Sequence, residues 1–389
     1  MASNTPSDLS KVTLWNGAKK IGEATFTSTD YATSTFTTQF GATEADYTVP
    51  KDSQMLITVK GDIGTIGVVS NAFPGHLIMV QYDASSADDE THTGLKGVGA
   101  SSGTSIYAGG SDTTSNGARI AKAIPTIERV ALSSTKFSNV SGQTLYKFKV
   151  SAPAGTNGVS LYKFTFSVAT SVSGYLQEFP TGPDANDPPV SDFQVTNYQV
   201  YCYSDSSFSV AACGNSSGLL NDSGVSDFST IASTSPGDTN DQEVRITFNP
   251  TNLMSSTNES IVIPSGEVRY FTLKADITGA SSTPAITVKM QGDAQYLGIT
   301  NPADGTNQPG STDTQVEQGV QGDNFTTGRY VFATTAANVD FWQDNDFIWS
   351  GNSTNTAMSV NTYDWFNGSL VPGLSNTDNG VSETLTLTN

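Results

Sequence analysis

Two stretches of the sequence, residues 47–64 (YTVPKDSQMLITVKGDIG) and residues 261–278 (IVIPSGEVRYFTLKADIT), align with each other without a gap. In both, apolar and polar residues alternate, which is the period of a β-strand with one buried face. A repeat of this kind indicates two copies of one structural module. The identical positions are Pro50 and Pro264, Thr58 and Thr272, Lys60 and Lys274, Asp62 and Asp276, and Ile63 and Ile277.

The same alternation recurs along the chain, for example in residues 144–151 (TLYKFKVS) and 160–168 (SLYKFTFSV). Charged residues make up only 14% of the chain and aromatic residues 10%. Long surface helices normally use Glu, Lys, Arg and Ala, whereas this composition favours strands joined by polar loops. The sequence therefore predicts an all-β protein of tandem immunoglobulin-like antiparallel β-sandwiches.

The two modules are predicted to differ in extent. The Gly/Ser-rich stretch at 94–117 is typical of a loop and places the domain boundary there. Twin LYKF strands at 145–148 and 161–164 form a predicted hairpin before the second repeat, and nothing comparable precedes Val12. We expect residues 1–118 to be a partial β-sandwich that needs strands from elsewhere, and residues 119–389 to be a complete one with long loops and a C-terminal strand.

An incomplete sandwich leaves an apolar face and a strand edge unpaired, which is costly and prone to association. Either an upstream part of the polypeptide or a strand donated by a neighbouring subunit would cover them. The alternating segment at 381–389 (VSETLTLTN), with Val381, Thr384, Thr386 and Thr388, is a candidate donor. The alternative is that this strand closes its own domain.

The charge balance bears on partners and location. With 18 Lys and Arg against 37 Asp and Glu, the net charge is −19, so nucleic acid would be repelled. No apolar run is long enough to predict a transmembrane helix. Cys202 and Cys213 lie eleven residues apart in two short predicted strands, which indicates a cross-hairpin disulfide in an extracellular protein; free thiols are the alternative.

Three acidic loops are candidate calcium sites, because Ca²⁺ is bound by clusters of carboxylate and carbonyl oxygens. Ordinary solvated turns explain these loops as well, and no other cofactor is expected. The candidate ligands are Asp184, Asn186 and Asp187 in the first loop, Asp238, Asn240 and Asp241 in the second, and Asp344 and Asp346 in the third.

Trp342 and Trp349 lie among acidic residues in NVDFWQDNDFIWS. Tryptophan beside aspartate is typical of carbohydrate sites, so these two residues are candidate glycan contacts; the alternative is that they are buried strand anchors. The two histidines lie in no nucleophile-elbow context, and no P-loop or zinc-protease motif is present. We therefore expect no enzymatic activity.

Several segments, IPTIERVALSSTKF, TLYKFKVSA, VSLYKFTFSVAT, DNDFIWSGNST and DWFNGSLVPGLS, resemble repeats in large secreted surface proteins of candidate-phyla-radiation (Patescibacteria) bacteria. The resemblance covers residues 124–170 and 338–375 best. It implies tandem β-sandwiches on a cell surface, of surface-layer or filament type, and no active site.

Together these features predict a structural subunit of an extracellular filament or surface layer, which assembles with copies of itself by strand or edge complementation. Repeated sandwiches that bury one another's ends suit such a role. The alternative is a surface adhesin or carbohydrate-binding protein that uses tryptophan and acidic loops.

Overall fold

The chain divides into two compact units, Met1–Ile120 and Ala121–Asn389. The computed structural model describes residues 8–26, 32–66, 72, 74, 77–82, 94–107, 113–115, 117–170, 193–221, 226–232, 241–248, 260–280, 285–293, 346–353, 365–374 and 382–387.

The protein is all-β, as its alternating pattern predicted. Within the described residues there is no α-helix, and the helical elements are short 3-10 turns at Thr38–Phe40, Glu44–Tyr47 and Gly368–Leu370. The strands of the first unit are β1 (Leu9–Asn16), β2 (Lys19–Thr25), β3 (Ile57–Ile63), β4 (Leu77–Ile78), β5 (Gln81–Tyr82), β6 (Lys96–Val98), β7 (Ser105–Tyr107), β8 (Thr113–Thr114) and β9 (Ala118–Arg119). Those of the second unit are β10 (Thr126–Arg129), β11 (Lys136–Phe137), β12 (Gln143–Ser151), β13 (Val159–Thr170), β14 (Gln194–Tyr203), β15 (Ala211–Cys213), β16 (Ser226–Ala232), β17 (Asp241–Phe248), β18 (Ile261–Ile263), β19 (Val268–Thr278), β20 (Ala285–Met290), β21 (Phe347–Ser350), β22 (Trp365–Asn367) and β23 (Ser382–Leu387).

The first unit is built on a three-stranded antiparallel sheet in the order β2-β1-β3. A two-residue turn joins β1 to β2, and Gly17 adopts the positive φ of 55° that glycine tolerates in such turns. Short two-stranded ladders pair β4 with β9, β5 with β8 and β6 with β7. The hydrophobic cluster of this unit is small and consists of Leu9, Val12, Ala24, Ala72, Ile78 and Ile120.

The second unit contains two larger sheets. One has five strands in the order β10-β12-β19-β14-β15. The other runs β11-β23-β20-β13-β17-β16, with β18 and β21 also paired to β13 and β22 paired to β21. The long strand β13 is therefore the centre of the larger sheet.

The core of the second unit lies between these sheets. Phe148 on β12 stacks on Phe271 of β19 with ring centroids 4.7 Å apart. The edges of Phe164 and Phe166 on β13 approach Phe148 at 5.7 and 5.8 Å. Aromatic side chains from both sheets thus meet face to edge, which adds to the energy of burial. This is the packing of one sheet on another; the immunoglobulin-like order of strands stays a prediction.

The C-terminal strand closes its own unit, which corrects its interpretation as a donor. β23 pairs antiparallel with β20 and parallel with β11, so both of its edges are occupied. Leu385 is fully buried, and the Lys136 Nζ donates to Thr386 Oγ1 at 3.1 Å. Thr384 and Thr386 are therefore ladder residues of their own unit, while Val381 and Thr388 lie outside the described residues. The physical reason is that β20 has β13 on one edge, and β23 supplies the hydrogen-bonding partner for its other edge.

Candidate functional site: the outer edge of β3

The sequence repeat recurs as a structural repeat. β3 pairs with β1 in the same way that β19 pairs with β14: Thr58 lies opposite Trp15, and Thr272 lies opposite Tyr201. β1 and β14 are each followed by a hairpin partner, β2 and β15 respectively. The three-stranded sheet β2-β1-β3 therefore corresponds to the β15-β14-β19 part of the five-stranded sheet.

A side-chain contact recurs with the backbone. The Lys60 Nζ lies over the ring of Trp15, 4.2 Å from its centroid. At the matching positions, the Lys274 Nζ lies 4.7 Å from the centroid of the Tyr201 ring. Because a cation over an aromatic face is a specific arrangement, its recurrence supports the alignment residue by residue.

The two sheets differ on the other side of the repeated strand. β19 is a central strand, with β14 on one edge and β12 on the other. In the part of the chain that the structure describes, β3 pairs with β1 alone. β3 thus presents its backbone N–H and C=O groups at the position where β12 lies in the second unit, and an edge of this kind is a template for another strand.

The apolar face of β3 is also partly exposed to solvent. Leu273 and Ile277 on β19 are 0% and 1% exposed, because the larger sheet packs over them. The equivalent residues Val59 and Ile63 on β3 are 45% and 52% exposed. Apolar side chains that are core in one copy of the module are therefore solvent-accessible in the other.

The register of β12 shows how a strand would fit this edge. On β19, Phe148 lies opposite Phe271 and Lys147 lies opposite Thr272. Transferred through the repeat, a β12-like strand would place an apolar residue opposite Ile57 and a polar one opposite Thr58. The edge of β3 can therefore bind an extended peptide with alternating apolar and polar residues, in antiparallel orientation.

The predicted disulfide is present in the structure. Cys202 on β14 and Cys213 on β15 are bonded directly across the pair of strands. The turn between them is organised by Asp205, which accepts hydrogen bonds from the Ser209 N–H at 3.0 Å and the Val210 N–H at 2.6 Å. The pKa of Asp205 is held well below its usual range, chiefly by the hydrogen bond from the Ser207 hydroxyl and next by the hydrogen bonds from the backbone N–H groups.

Trp349 is a strand anchor and not a glycan contact. Its side chain is fully buried and stacks on Phe366 with ring centroids 4.7 Å apart. The indole Nε1 donates to the Asn367 carbonyl at 2.9 Å. Neither face of the ring is open to a sugar, because the ring is part of the hydrophobic core of the second unit. Trp342, the other candidate, lies outside the described residues.

The calcium predictions fall largely outside the described residues, which include neither the loop of Asp184, Asn186 and Asp187 nor Asp238, Asn240 and Asp344. Asp241 begins β17, and its backbone pairs with Ala169. The Asp346 N–H donates to Asp293 Oδ1. Among the residues that the structure describes, no group of three or more His, Cys, Asp or Glu side chains is placed to hold a metal ion.

Two ionisable residues that the sequence did not single out are buried in the second unit. Lys163 is 0% exposed and Asp293 is 6% exposed. In the sequence, Lys163 belongs to an alternating strand and occupies what looks like a solvent-facing position. No local signal distinguishes it from the surface lysines Lys147 and Lys149.

The described part of the chain includes no helix with the length and hydrophobicity to cross a bilayer. No protein-family model matches the sequence, and no curated protein matches it significantly.

Solved structures with similarity to the chain include AvmM, which catalyses macrocyclisation in alchivemycin A biosynthesis, at 10% identity and a TM-score of 0.21, covering 46% of this chain and 77% of that one. A structure of manganese lipoxygenase of Gaeumannomyces graminis with part of zonadhesin of Komagataella pastoris has 10% identity and a TM-score of 0.18, covering 56% and 73%. The RrgB pilus protein of Streptococcus pneumoniae has 10% identity and a TM-score of 0.20, covering 92% and 54%. Similarities this weak carry no argument about function, and what is established for this chain is its all-β class.

Proposed function

We propose that this chain is a non-enzymatic structural subunit of an extracellular filament or surface layer, and that the outer edge of β3 accepts a strand from a neighbouring copy. One observation carries the proposal: the same module occurs twice, and among the residues that the structure describes, only the second copy has a strand at this edge and a sheet over this face.

The physical drive for such an assembly is burial and hydrogen bonding at β3. Covering the exposed halves of Val59 and Ile63 contributes about 1 kcal/mol for each side chain. Each backbone hydrogen bond added along the edge contributes about 1 kcal/mol net. A strand of six to eight residues thus supplies enough energy for association, and the second unit provides the pattern that it would follow.

The disulfide and the low content of charged residues fit an exported protein. The donor strand is a different segment from β23, because both edges of β23 are occupied in its own unit. The adhesin alternative loses one of its two candidate glycan contacts, since the ring of Trp349 is buried, while Trp342 lies outside the described residues.

A synthetic peptide with the sequence of β12, QTLYKFKVS, tests the edge directly. We expect saturable binding to the purified chain, measured by fluorescence anisotropy, and slower growth of polymers in electron micrographs when the peptide is present. A peptide of the same composition in scrambled order is the control. Equal binding of both peptides would count against a register-specific edge.

A substitution tests the same surface from the side of the acceptor. Val59→Lys places a charge on a face that must be buried on assembly, which costs several kcal/mol. We expect Val59→Lys to abolish the polymers and the peptide binding. Val262→Lys is the matched control, because Val262 is also a strand valine and is 42% exposed. The wild-type chain is also examined by sedimentation at high concentration. If it stays monomeric there, the proposal is refuted.

A further inference from the structure

Lys163 is buried where a charged lysine is expensive. It lies in the middle of β13, the central strand of the larger sheet, and its side chain is fully inaccessible to solvent. In the described residues it is the sole buried lysine or arginine. Burial of an ammonium group favours the neutral amine, since the apolar surroundings penalise charge. A neutral lysine amine is a nucleophile.

The carboxyl group of Asp293 is held at the same level of the sheet. β20 pairs with β13 up to Met290, which lies opposite Phe166, and the Gln291 N–H then donates to the Thr165 carbonyl at 2.9 Å. On the same edge of β13, β21 takes over with Ile348 opposite Lys163. Asp293 therefore lies at the junction where β20 leaves β13 and β21 begins, at the level of Lys163.

Backbone N–H groups hold this carboxyl group in place. The Asp346 N–H donates to Oδ1 at 2.9 Å, and the Gly368 N–H donates to Oδ2 at 2.5 Å. The Phe347 N–H approaches Oδ2 at 3.5 Å. A β-carbon on residue 368 would lie 2.9 Å from Oδ2 and 3.0 Å from the Phe347 Cβ, so only glycine allows this close approach.

Burial favours the neutral form of the Asp293 carboxyl group. Burial raises the pKa of Asp293 to about 6, against the lowering effect of the N–H groups of Asp346 and Gly368 and of the charge on Lys163. That opposing effect of Lys163 also shows that its amine and this carboxyl group are within electrostatic reach of each other. The Asp293 carboxyl group is thus driven towards its neutral form by burial.

We infer that Lys163 and Asp293 are joined by an intramolecular amide bond, formed in the folded protein without a cofactor. The Lys163 Nζ attacks the Asp293 Cγ of the neutral carboxylic acid, and a tetrahedral intermediate forms. The C–N bond is made, the bond from Cγ to one oxygen breaks, and that oxygen leaves as water with the hydroxyl proton and one amine proton. Nothing is oxidised or reduced, so the reaction needs no further reactant.

The site supplies what this condensation requires. The N–H groups of Asp346 and Gly368 point at the carboxyl oxygens and stabilise the negative charge that develops there, as in an oxyanion hole. The fixed strands β13 and β20 hold the two reactants together, which replaces a bimolecular encounter by an intramolecular one. The product would link β13 covalently to the end of β20 and close a loop of the chain between residues 163 and 293.

Intact-mass spectrometry of the full chain, after reduction of the Cys202–Cys213 disulfide, tests the inference. We expect the wild-type protein to be one water molecule lighter than its sequence mass. Peptide mapping should recover one branched species that contains both Lys163 and Asp293. A wild-type protein at its full sequence mass would overturn the inference, and this result does not depend on any variant.

Variants identify the reacting groups. Lys163→Met and Asp293→Ala should restore the full sequence mass. In Asp293→Asn the same attack would expel ammonia, so this variant should be one ammonia molecule lighter than its own sequence mass. Lys149→Met is the control, because Lys149 forms a surface ion pair with Glu128 at 3.0 Å; it should keep the loss of water. A loss of water that persists in Lys163→Met would show dehydration elsewhere and contradict the assignment. None of these results depends on assembly at β3.

Discussion

Removal of the Cys202–Cys213 disulfide is expected to destabilise the second unit and leave the first unchanged. The bond closes a loop with a sequence separation of 11 and ties β14 to β15. In the chain-entropy model, opening a loop of this size costs about 2.8 kcal/mol at room temperature. Cys202 is fully buried, so replacing it with alanine also removes a buried sulfur, at about 1 kcal/mol. We therefore expect Cys202→Ala/Cys213→Ala to lose about 3 to 4 kcal/mol.

A urea titration read by pulsed hydrogen exchange and mass spectrometry measures the two units separately. Peptides from β12 and β19 report on the second unit, and peptides from β1 and β3 report on the first. With a urea slope of about 2 kcal/mol per molar, the midpoint of the second unit should fall by about 1.5 to 2 M. Asp205→Ala is the control, because it removes the hydrogen bonds of the turn but keeps the disulfide.

Two results would refute this reasoning. If the midpoint of the second unit falls by less than about 0.3 M, the turn at Asp205 already closes the loop in the unfolded chain and the entropy argument fails. If the first unit shifts by the same amount, the two units do not unfold independently, and the disulfide cannot be assigned to one of them.

Two further substitutions test the packing of the second unit. Gly373→Ala should lower the free energy of unfolding in urea by at least about 2 kcal/mol, because Gly373 has a φ of 92° and a β-carbon there would lie 1.7 Å from the Ile127 carbonyl oxygen. Gly155→Ala is the control, at a positive φ with no atom near the added β-carbon, and should cost about 1 kcal/mol. Equal losses in the two variants would disprove the steric clash. Hydrogen bonds from the Asn197 side chain and the Gly142 N–H hold the pKa of Asp276 below its usual value. The ionised carboxyl group therefore stabilises the folded state at pH values above its unfolded pKa, and this contribution is lost as the pH falls through the lower pKa of the folded state. Asp276→Asn should therefore flatten the fall in unfolding free energy of the second unit below pH 4, and an unchanged slope would contradict this role.

The sequence determined the class of fold because strand periodicity is local. Alternation of apolar and polar residues requires only that one face be buried, and it identified β12, β13 and β19 before any contact was known. The repeat likewise predicted two copies of one module, and the structure pairs β1 with β3 in one copy as it pairs β14 with β19 in the other. Cys202 and Cys213 were paired correctly, since two strands and a turn bring residues at this spacing together.

Only the tertiary structure decided which faces and edges are occupied. The alternation of β23 fits a donor strand and a closing strand equally well, and its pairing with β20 and β11 depends on strands far away in the chain. The sequence around Trp349 fits a glycan contact and a buried core residue equally well, and only its stacking on Phe366 decides between them.

Lys163 illustrates the limit most clearly. The pattern of β13 gives this residue the appearance of a surface lysine, like Lys147 and Lys149 on β12. Its burial, and its position at the level of Asp293, follow from β20 and β21 sharing one edge of β13. Periodicity along one strand fixes which side chains point the same way, but what lies opposite them is set by contacts between residues more than a hundred positions apart, and no local pattern carries that information.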